Sequence, residues 1–244
     1  MANYLIIAAT SDIGAQVAKK LTQQGHNLWL TARKDTISTL AITPDTQHSV
    51  LDATDFDAVD HTFEIAKKAL GGLDGVLCCA GSMLLKPAHL TTWDEYLDVV
   101  QANLTTGFAV VRSAGKHMHN TGGSVVLVSS AAAVRGVANH EAIAAAKGGI
   151  ISLARSAAAT YATANIRFNV VAPGLTVTKM TAELVKSNLS YKASQALHAL
   201  RRLGSTEDVA SAITFLLDPN NSWITGQVMA VDGGLSTLMP RIKV

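Results

Sequence analysis

Short apolar runs alternate with stretches of helical periodicity along the whole chain. Tyr4–Ala9 has no polar face, the pattern of a strand covered on both sides. Ile13, Val17 and Leu21 then recur at helical spacing, which predicts a helix over Ile13–Gln24 stopped by Gly25. The same reasoning predicts further strands over Asn27–Thr31, Ser49–Leu51, Leu73–Cys79, Ser124–Ser129, Ile166–Val171 and Gln227–Val231. Between them it predicts helices over Phe56–Leu70, ended by Gly71-Gly72, and over Trp93–His119, His140–Ala162, Lys179–Leu200 and Glu207–Leu217. Strand alternating with helix implies an α/β fold, a Rossmann-type doubly wound parallel sheet with helices on both faces. Right-handed crossovers leave few other topologies. No repeat, low-complexity tract or linker interrupts the pattern, so residues 1–244 read as a single domain.

In such a sheet, ligands bind beyond the carboxyl ends of the strands at the point where the strand order reverses. The segments that follow the strands are Thr10–Gly14, Thr31–Lys34, Asp52-Ala53, Ala80-Gly81, Ser129-Ser130 and Pro173–Thr178. They are rich in small residues and hydroxyls, which let a dinucleotide approach the backbone. Composition narrows the partners. The 244 residues are 48% hydrophobic and 16% charged, enough to bury one core, and the net charge of +2 makes no electrostatic case for nucleic acid. The N-terminus has no basic region, and its apolar run is too short for a signal peptide or a membrane span, so a cytoplasmic protein is expected. The only cysteines, Cys78 and Cys79, are adjacent and poorly placed for an ordinary disulfide; they read as small apolar residues ending a buried strand. No metal is expected.

The first strand enters its helix through Ala8-Ala9-Thr10-Ser11-Asp12-Ile13-Gly14. A helix N-terminus there offers free N–H groups and a positive dipole to a pyrophosphate, and Thr10 and Ser11 add hydroxyls. Asp12 is awkward beside a phosphate and suits a helix cap instead. Leu51-Asp52-Ala53, Cys78-Cys79-Ala80-Gly81, Asn103, Ser130, Lys147, Pro173-Gly174-Leu175-Thr176-Val177-Thr178 and Thr225-Gly226-Gln227 with Asp232-Gly233-Gly234 follow in order. Together these segments resemble the short-chain dehydrogenase/reductase family over nearly the whole chain, and the tail is most similar to 3-oxoacyl-[acyl-carrier-protein] reductases. The resemblance implies a nicotinamide dinucleotide held by Thr10, Ser11, Asp12, Ile13, Arg33, Asp52, Ala53, Cys79, Ala80, Gly81, Lys147, Pro173, Gly174, Thr176 and Thr178. It implies catalytic roles for Ser130, Lys147 and Asn103. The Pro173–Thr178 segment is expected to grip the nicotinamide carboxamide, and Asp52 to reach the adenine.

Two departures from the family shape the expected chemistry. The glycine-rich turn keeps only Gly14, with Ala8 and Asp12 at the other glycine places. The family motif Tyr-x-x-x-Lys reads Ile143-Ala144-Ala145-Ala146-Lys147, so the usual proton donor is an isoleucine. Seven residues make about 700° of helix, within roughly 20° of two full turns. His140 is therefore expected on the face of Lys147, with Asn139 as N-cap, at the Tyr-x6-Lys spacing of enoyl-[acyl-carrier-protein] reductases. Its imidazole can donate a proton near neutrality. Ala32-Arg33 at the end of the second strand replaces the acid of NAD-preferring members with a guanidinium, which favours NADP(H). The basic surplus between Thr178 and Gly204 (Lys179, Lys186, Lys192, Arg201, Arg202 against Glu183) suits an anionic acyl-thioester carrier beside small-molecule substrates. Small residues on the Lys147 helix predict a homo-oligomer, a tetramer in the family. The chain is thus expected to be an NADP(H)-dependent oxidoreductase acting on a carbonyl or conjugated enoyl group. The alternative is a dinucleotide-binding protein that has lost catalysis.

Overall fold

The computed structural model describes residues 1–37, 40, 42 and 46–239; residues 38, 39, 41, 43–45 and 240–244 of the expected 1–244 domain lie outside the described residues. Seven strands form one parallel sheet: β1 (Asn3–Ile7), β2 (Asn27–Ala32), β3 (Gln47–Val50), β4 (Gly75–Cys78), β5 (Gly123–Val128), β6 (Ile166–Pro173) and β7 (Val228–Val231). Their order is β3-β2-β1-β4-β5-β6-β7, so the chain reverses direction across the sheet between β1 and β4. The register there pairs Ile7 with Cys78, which brings the two strand ends level.

Alternation along β1 divides the core. Leu5 and Ile7 point to the face covered by α2 (Phe56–Leu70), α4 (Thr106–His117) and α5 (Glu141–Thr160), where Phe63, Met118 and Phe168 are buried. Tyr4 and Ile6 point to the face covered by α1 (Asp12–Gln23) and α7 (Thr206–Leu217), against Val17, Leu21, Ile213 and Leu216. Helix stops behave as the sequence predicts: Gly25 and Gly71 adopt positive φ values of 79° and 77° after α1 and α2.

Three predicted helices are divided or shortened. The long one is α3 (Trp93–Val100) and α4 joined by a π turn over Gln101–Thr105. Asn103 Nδ2 donates to the Val99 carbonyl, the acceptor its own amide would take in an α-helix, and the Thr106 amide donates five residues back to Gln101. The segment expected as one helix over Lys179–Leu200 is a 3₁₀ stretch, Lys179–Val185, followed by α6 (Asn188–Leu197) capped by Ser187. The helix expected from His140 begins at Glu141. His140 is itself the N-cap residue, and Asn139 has φ 63°, outside the extended geometry typical of an N-cap. β1 stops at Ile7, two residues earlier than expected, because Ala8 turns to φ 60°.

Candidate active site

The ends of β1, β4, β5 and β6 enclose a cavity of about 580 Å³ at the reversal point of the sheet. Its walls include Thr10–Ile13, Cys79–Met83, Asn103, Val128–Ala132, His140, Ile143, Lys147, Pro173–Thr176 and Thr178. Most of the site residues expected from the sequence therefore converge. Arg33, Asp52 and Ala53 do not line this cavity. They lie at and just beyond the ends of β2 and β3, on the far side of β1, where Arg33 and Asp52 are exposed.

At the β1–α1 turn, Ser11 is the N-cap. Its Oγ accepts from the Gly14 amide at 3.1 Å and donates to the Ala8 carbonyl at 2.8 Å. Both corrections to the sequence reading follow: Ser11, not Asp12, caps the helix, and the Ser11 proton is already committed. A Cβ on Gly14 would stand 2.7 Å from the Ala8 oxygen, which is why this glycine remains. The Asp12 and Ile13 amides have no hydrogen-bond partner among the described residues, and both residues line the cavity. The Asp12 carboxylate turns away from them, accepting from the Lys179 amide and lying 3.8 Å from its Nζ. Two free helix-N-terminal donors facing the cavity fit a dinucleotide's phosphates, with the adjacent carboxylate already engaged.

Deeper in, Asn103 is 1% exposed and held by three bonds: Nδ2 to Val99 O (2.8 Å) and Ser82 Oγ (3.2 Å), and Oδ1 from the Ser82 amide (3.3 Å). Lys147 is buried. Its Nζ donates to Val128 O at 2.8 Å, and its own carbonyl accepts from Ser129 Oγ at 2.8 Å. Burial pushes its pKa down to about 8, partly offset by Cys78 and Cys79. A Cβ on Gly81 would lie 2.7 Å from Asn103 Oδ1 and 3.2 Å from Lys147 Nζ, so glycine lets the three groups meet. Ser130 Oγ accepts from the Ala132 amide at 3.2 Å, and its hydroxyl proton has no partner among the described residues. Burial raises the Cys79 thiol to about 12, so it is a neutral wall residue. Cys78 and Cys79 are both unpaired.

Ile143 is 5% exposed and packs with Val99, Ala142 and Ala146 while still reaching the cavity. His140 lines the cavity and is half-buried; its Nδ1 lies 2.7 Å from the Ala138 carbonyl. A carbonyl only accepts, so Nδ1 carries a proton and Nε2 is the position open to a ligand. On the β6 side, Thr176 Oγ1 donates to Gly174 O at 3.2 Å, and Thr181 Oγ1 donates to Thr176 O at 2.6 Å. At the end of β3, the Thr54 amide and hydroxyl hold the Asp52 carboxyl below the ordinary carboxylate range, with help from Arg33. Of the basic residues between Thr178 and Gly204, Lys179, Lys186 and Arg202 are paired with Asp12, Glu183 and Asp208, so the surplus is smaller than the sequence suggests.

Sequence reasoning missed Ser82, which holds Asn103, and His198, which is buried at the cavity wall. It also missed the apolar wall of Leu85, Val137, Met180, Leu184, Leu197 and Leu235. None of these has a local motif; each joins the site through the path of the chain.

Residues 7–236 match a family model described as enoyl-(acyl carrier protein) reductase. The chain is 32% identical over 243 residues to carbonyl reductase family member 4 of Danio rerio, covering 96% of this chain and 98% of the relative. It is also 32% identical over 233 residues to the 3-oxoacyl-[acyl-carrier-protein] reductase MabA of Mycobacterium tuberculosis, covering 95% and 91%. Among solved structures, a short-chain type dehydrogenase/reductase from Mycobacterium ulcerans superposes with a TM-score of 0.92 at 28% identity, covering 98% of this chain and 91% of that one. ElxO with NADP bound superposes at 0.90 and 26% identity, covering 98% and 100%.

Proposed function

The chain belongs to the short-chain dehydrogenase/reductase family of NAD(P)-dependent oxidoreductases, and from that premise we propose that it is an NADP(H)-dependent reductase with an atypical proton donor. The observation that carries this reading is the convergence of Asn103, Ser130, Lys147 and two unpartnered helix-terminal amides on one cavity at the sheet reversal. A bound nicotinamide cofactor would exchange a hydride with a carbonyl or a conjugated enoyl group. The chain's own part is to hold and polarise. The Asp12 and Ile13 amides take the pyrophosphate, Thr10 adds a hydroxyl, and the Pro173–Thr178 wall with Thr176 and Thr178 takes the carboxamide. Cys79, Ala80 and Gly81 let the backbone approach, and Lys147 holds the ribose. Ser130 donates its free proton to the substrate oxygen, and Asn103 anchors a water chain behind Lys147.

Ile143 stands four residues before Lys147 and has no proton to give, so His140 supplies it. Because Nδ1–H is bonded to Ala138 O, the proton leaves from Nε2 of the doubly protonated ring. The largely apolar walls suit an apolar acyl or enoyl group, delivered as a small molecule or a thioester. Arg33 is exposed with no ion pair among the described residues, which suits a 2′-phosphate, and Asp52 beside it suits the adenine. Residues 1–244 act as one catalytic domain. Assembly is a homotetramer through α4 and α5, where Phe108, Ala145, Ser152 and Ala159 are exposed. No helix among the described residues is long and apolar enough to cross a membrane.

Single-turnover oxidation of bound NADPH across a panel of ketones and enoyl thioesters tests the reading. Turnover of any member at a rate lost on Ser130→Ala supports it. Tight NADPH binding with no oxidation by any of them overturns the catalytic reading in favour of a protein that acts by binding the dinucleotide.

A further inference from the structure

We propose that His198 is a positioning residue that ties the helix over the cavity to the cavity's β6 wall. The proposal rests on the reading above that this cavity holds a nicotinamide dinucleotide. His198 follows α6 directly and is 2% exposed. Its Nδ1 lies 2.8 Å from the Ser194 carbonyl, which accepts only, so Nδ1 carries the ring proton. Nε2 is left with a lone pair, and it accepts the Leu175 amide at 3.2 Å. Only this tautomer satisfies both contacts, and no aliphatic residue satisfies the second.

The surroundings are shaped to the ring. A Cβ on Gly174 would stand 2.9 Å from Nε2 and 2.8 Å from the Asp232 Cα, so glycine permits the approach. The other side of the Leu175 segment is clamped by backbone: Gly204 donates to Leu175 O and Val177 donates to Gly204 O, each at 2.9 Å. The imidazole is therefore the side-chain half of a two-sided grip on the wall. Gly174, Leu175 and His198 also line a second cavity of about 430 Å³, so the ring is part of the partition between the two spaces. Removing its acceptor leaves the half-buried Leu175 amide without its side-chain partner and frees the wall to shift toward the second cavity.

The native protein supplies the first test. A long-range proton–nitrogen correlation spectrum of the imidazole is expected to show Nδ1–H with an accepting Nε2; an Nε2–H tautomer would overturn the proposal. His198→Leu is expected to weaken NADPH binding about tenfold and to speed exchange of the Leu175 amide by at least about tenfold. His198→Gln, whose Oε1 can reach the same amide, is expected to restore both to within about threefold. A His198→Leu protein of native fold with unchanged affinity and exchange sinks the proposal alone, as does loss of both that Gln does not recover. A native protein that binds no NADPH sinks the dinucleotide reading and this proposal with it.

Discussion

Around the ends of β4 and β5, side chains are fixed before any ligand arrives. Asn103 makes three hydrogen bonds, Lys147 is buried against Val128 O, and Ser129 Oγ ties the Lys147 carbonyl to the strand. Around the ends of β1 and β2 the opposite holds. Arg33 is exposed, the Asp12 and Ile13 amides lack partners among the described residues, and Ala8 sits in the left-handed region at φ 60°. The first region is preorganised at a cost in burial of a charged group; the second leaves donors and a cation for a ligand to satisfy. The difference predicts that substitutions in the first act on turnover and on stability, Lys147 also on affinity through the ribose, while loss of the free donors or the cation in the second acts on affinity.

The sharpest division comes from His140. His140→Ala is expected to lower kcat by about a hundredfold or more, the usual worth of a general acid, with NADPH affinity unchanged. Stopped-flow oxidation of NADPH beside equilibrium titration checks this. An unchanged rate moves the proton donor to Lys147, Ser130 or a water.

Arg33→Ala is the mirror case. Loss of a charge-assisted phosphate contact worth about 1.5–3 kcal/mol weakens NADPH about tenfold to a hundredfold, leaving NADH and kcat nearly unchanged. Equal affinity of the native protein for both cofactors would remove the cofactor assignment and break the comparison at its open end.

Lys147 sharpens it through pH. Its folded pKa, near 8, lies below the ordinary lysine value of 10.5, so between these values the unfolded chain binds more protons. The native protein therefore gains stability from this group as pH rises from about 8 to 10.5, and bears the cost of a buried charge below 8. Lys147→Met is expected to remove that pH-dependent gain and to stabilise the cofactor-free protein at pH 7 by about 1–2 kcal/mol, while NADPH binding falls. Urea melts of both proteins at pH 7.5 and 10.5 decide it; parallel profiles would contradict the buried-charge account.

The smallest expected effect is at Ala8. The left-handed conformation costs a non-glycine residue about 1–2 kcal/mol, and glycine gives back about 0.5–1 kcal/mol in unfolded-state entropy. Ala8→Gly should thus stabilise the protein by at most about 1.5 kcal/mol without changing kcat. Destabilisation in thermal melts would show that the Ala8 methyl makes a compensating contact.

Local patterns carried much of the fold. Apolar runs, helical spacing and glycine stops lie within a few residues of one another, so the alternation of strands and helices, the parallel sheet and the loops that face the ligand end were legible in the chain. Asn103, Ser130, Lys147 and the Pro173–Thr178 wall stood out only through the resemblance to the family's motifs, and the structure brings them to one cavity. Much of what escaped depends on partners far apart in sequence. Asp12 is engaged by Lys179, 167 residues away, and the Leu175 amide by His198, 23 residues on. Asn103 is held by Ser82, 21 residues back, and its side chain takes the Val99 carbonyl, which turns one predicted helix into two joined by a π turn. His140 kept its place at the cavity but lost its expected place inside the helix, because Asn139 adopts positive φ and the helix starts one residue later. The sequence by itself determined which segments become strands, which helices cover them and where their loops emerge, since those choices follow from periodicity and backbone preference. Only the tertiary structure decided which donors stay free, which tautomer His140 and His198 hold and which lysine is buried, since hydrogen-bond satisfaction and burial exist only once the folded segments meet.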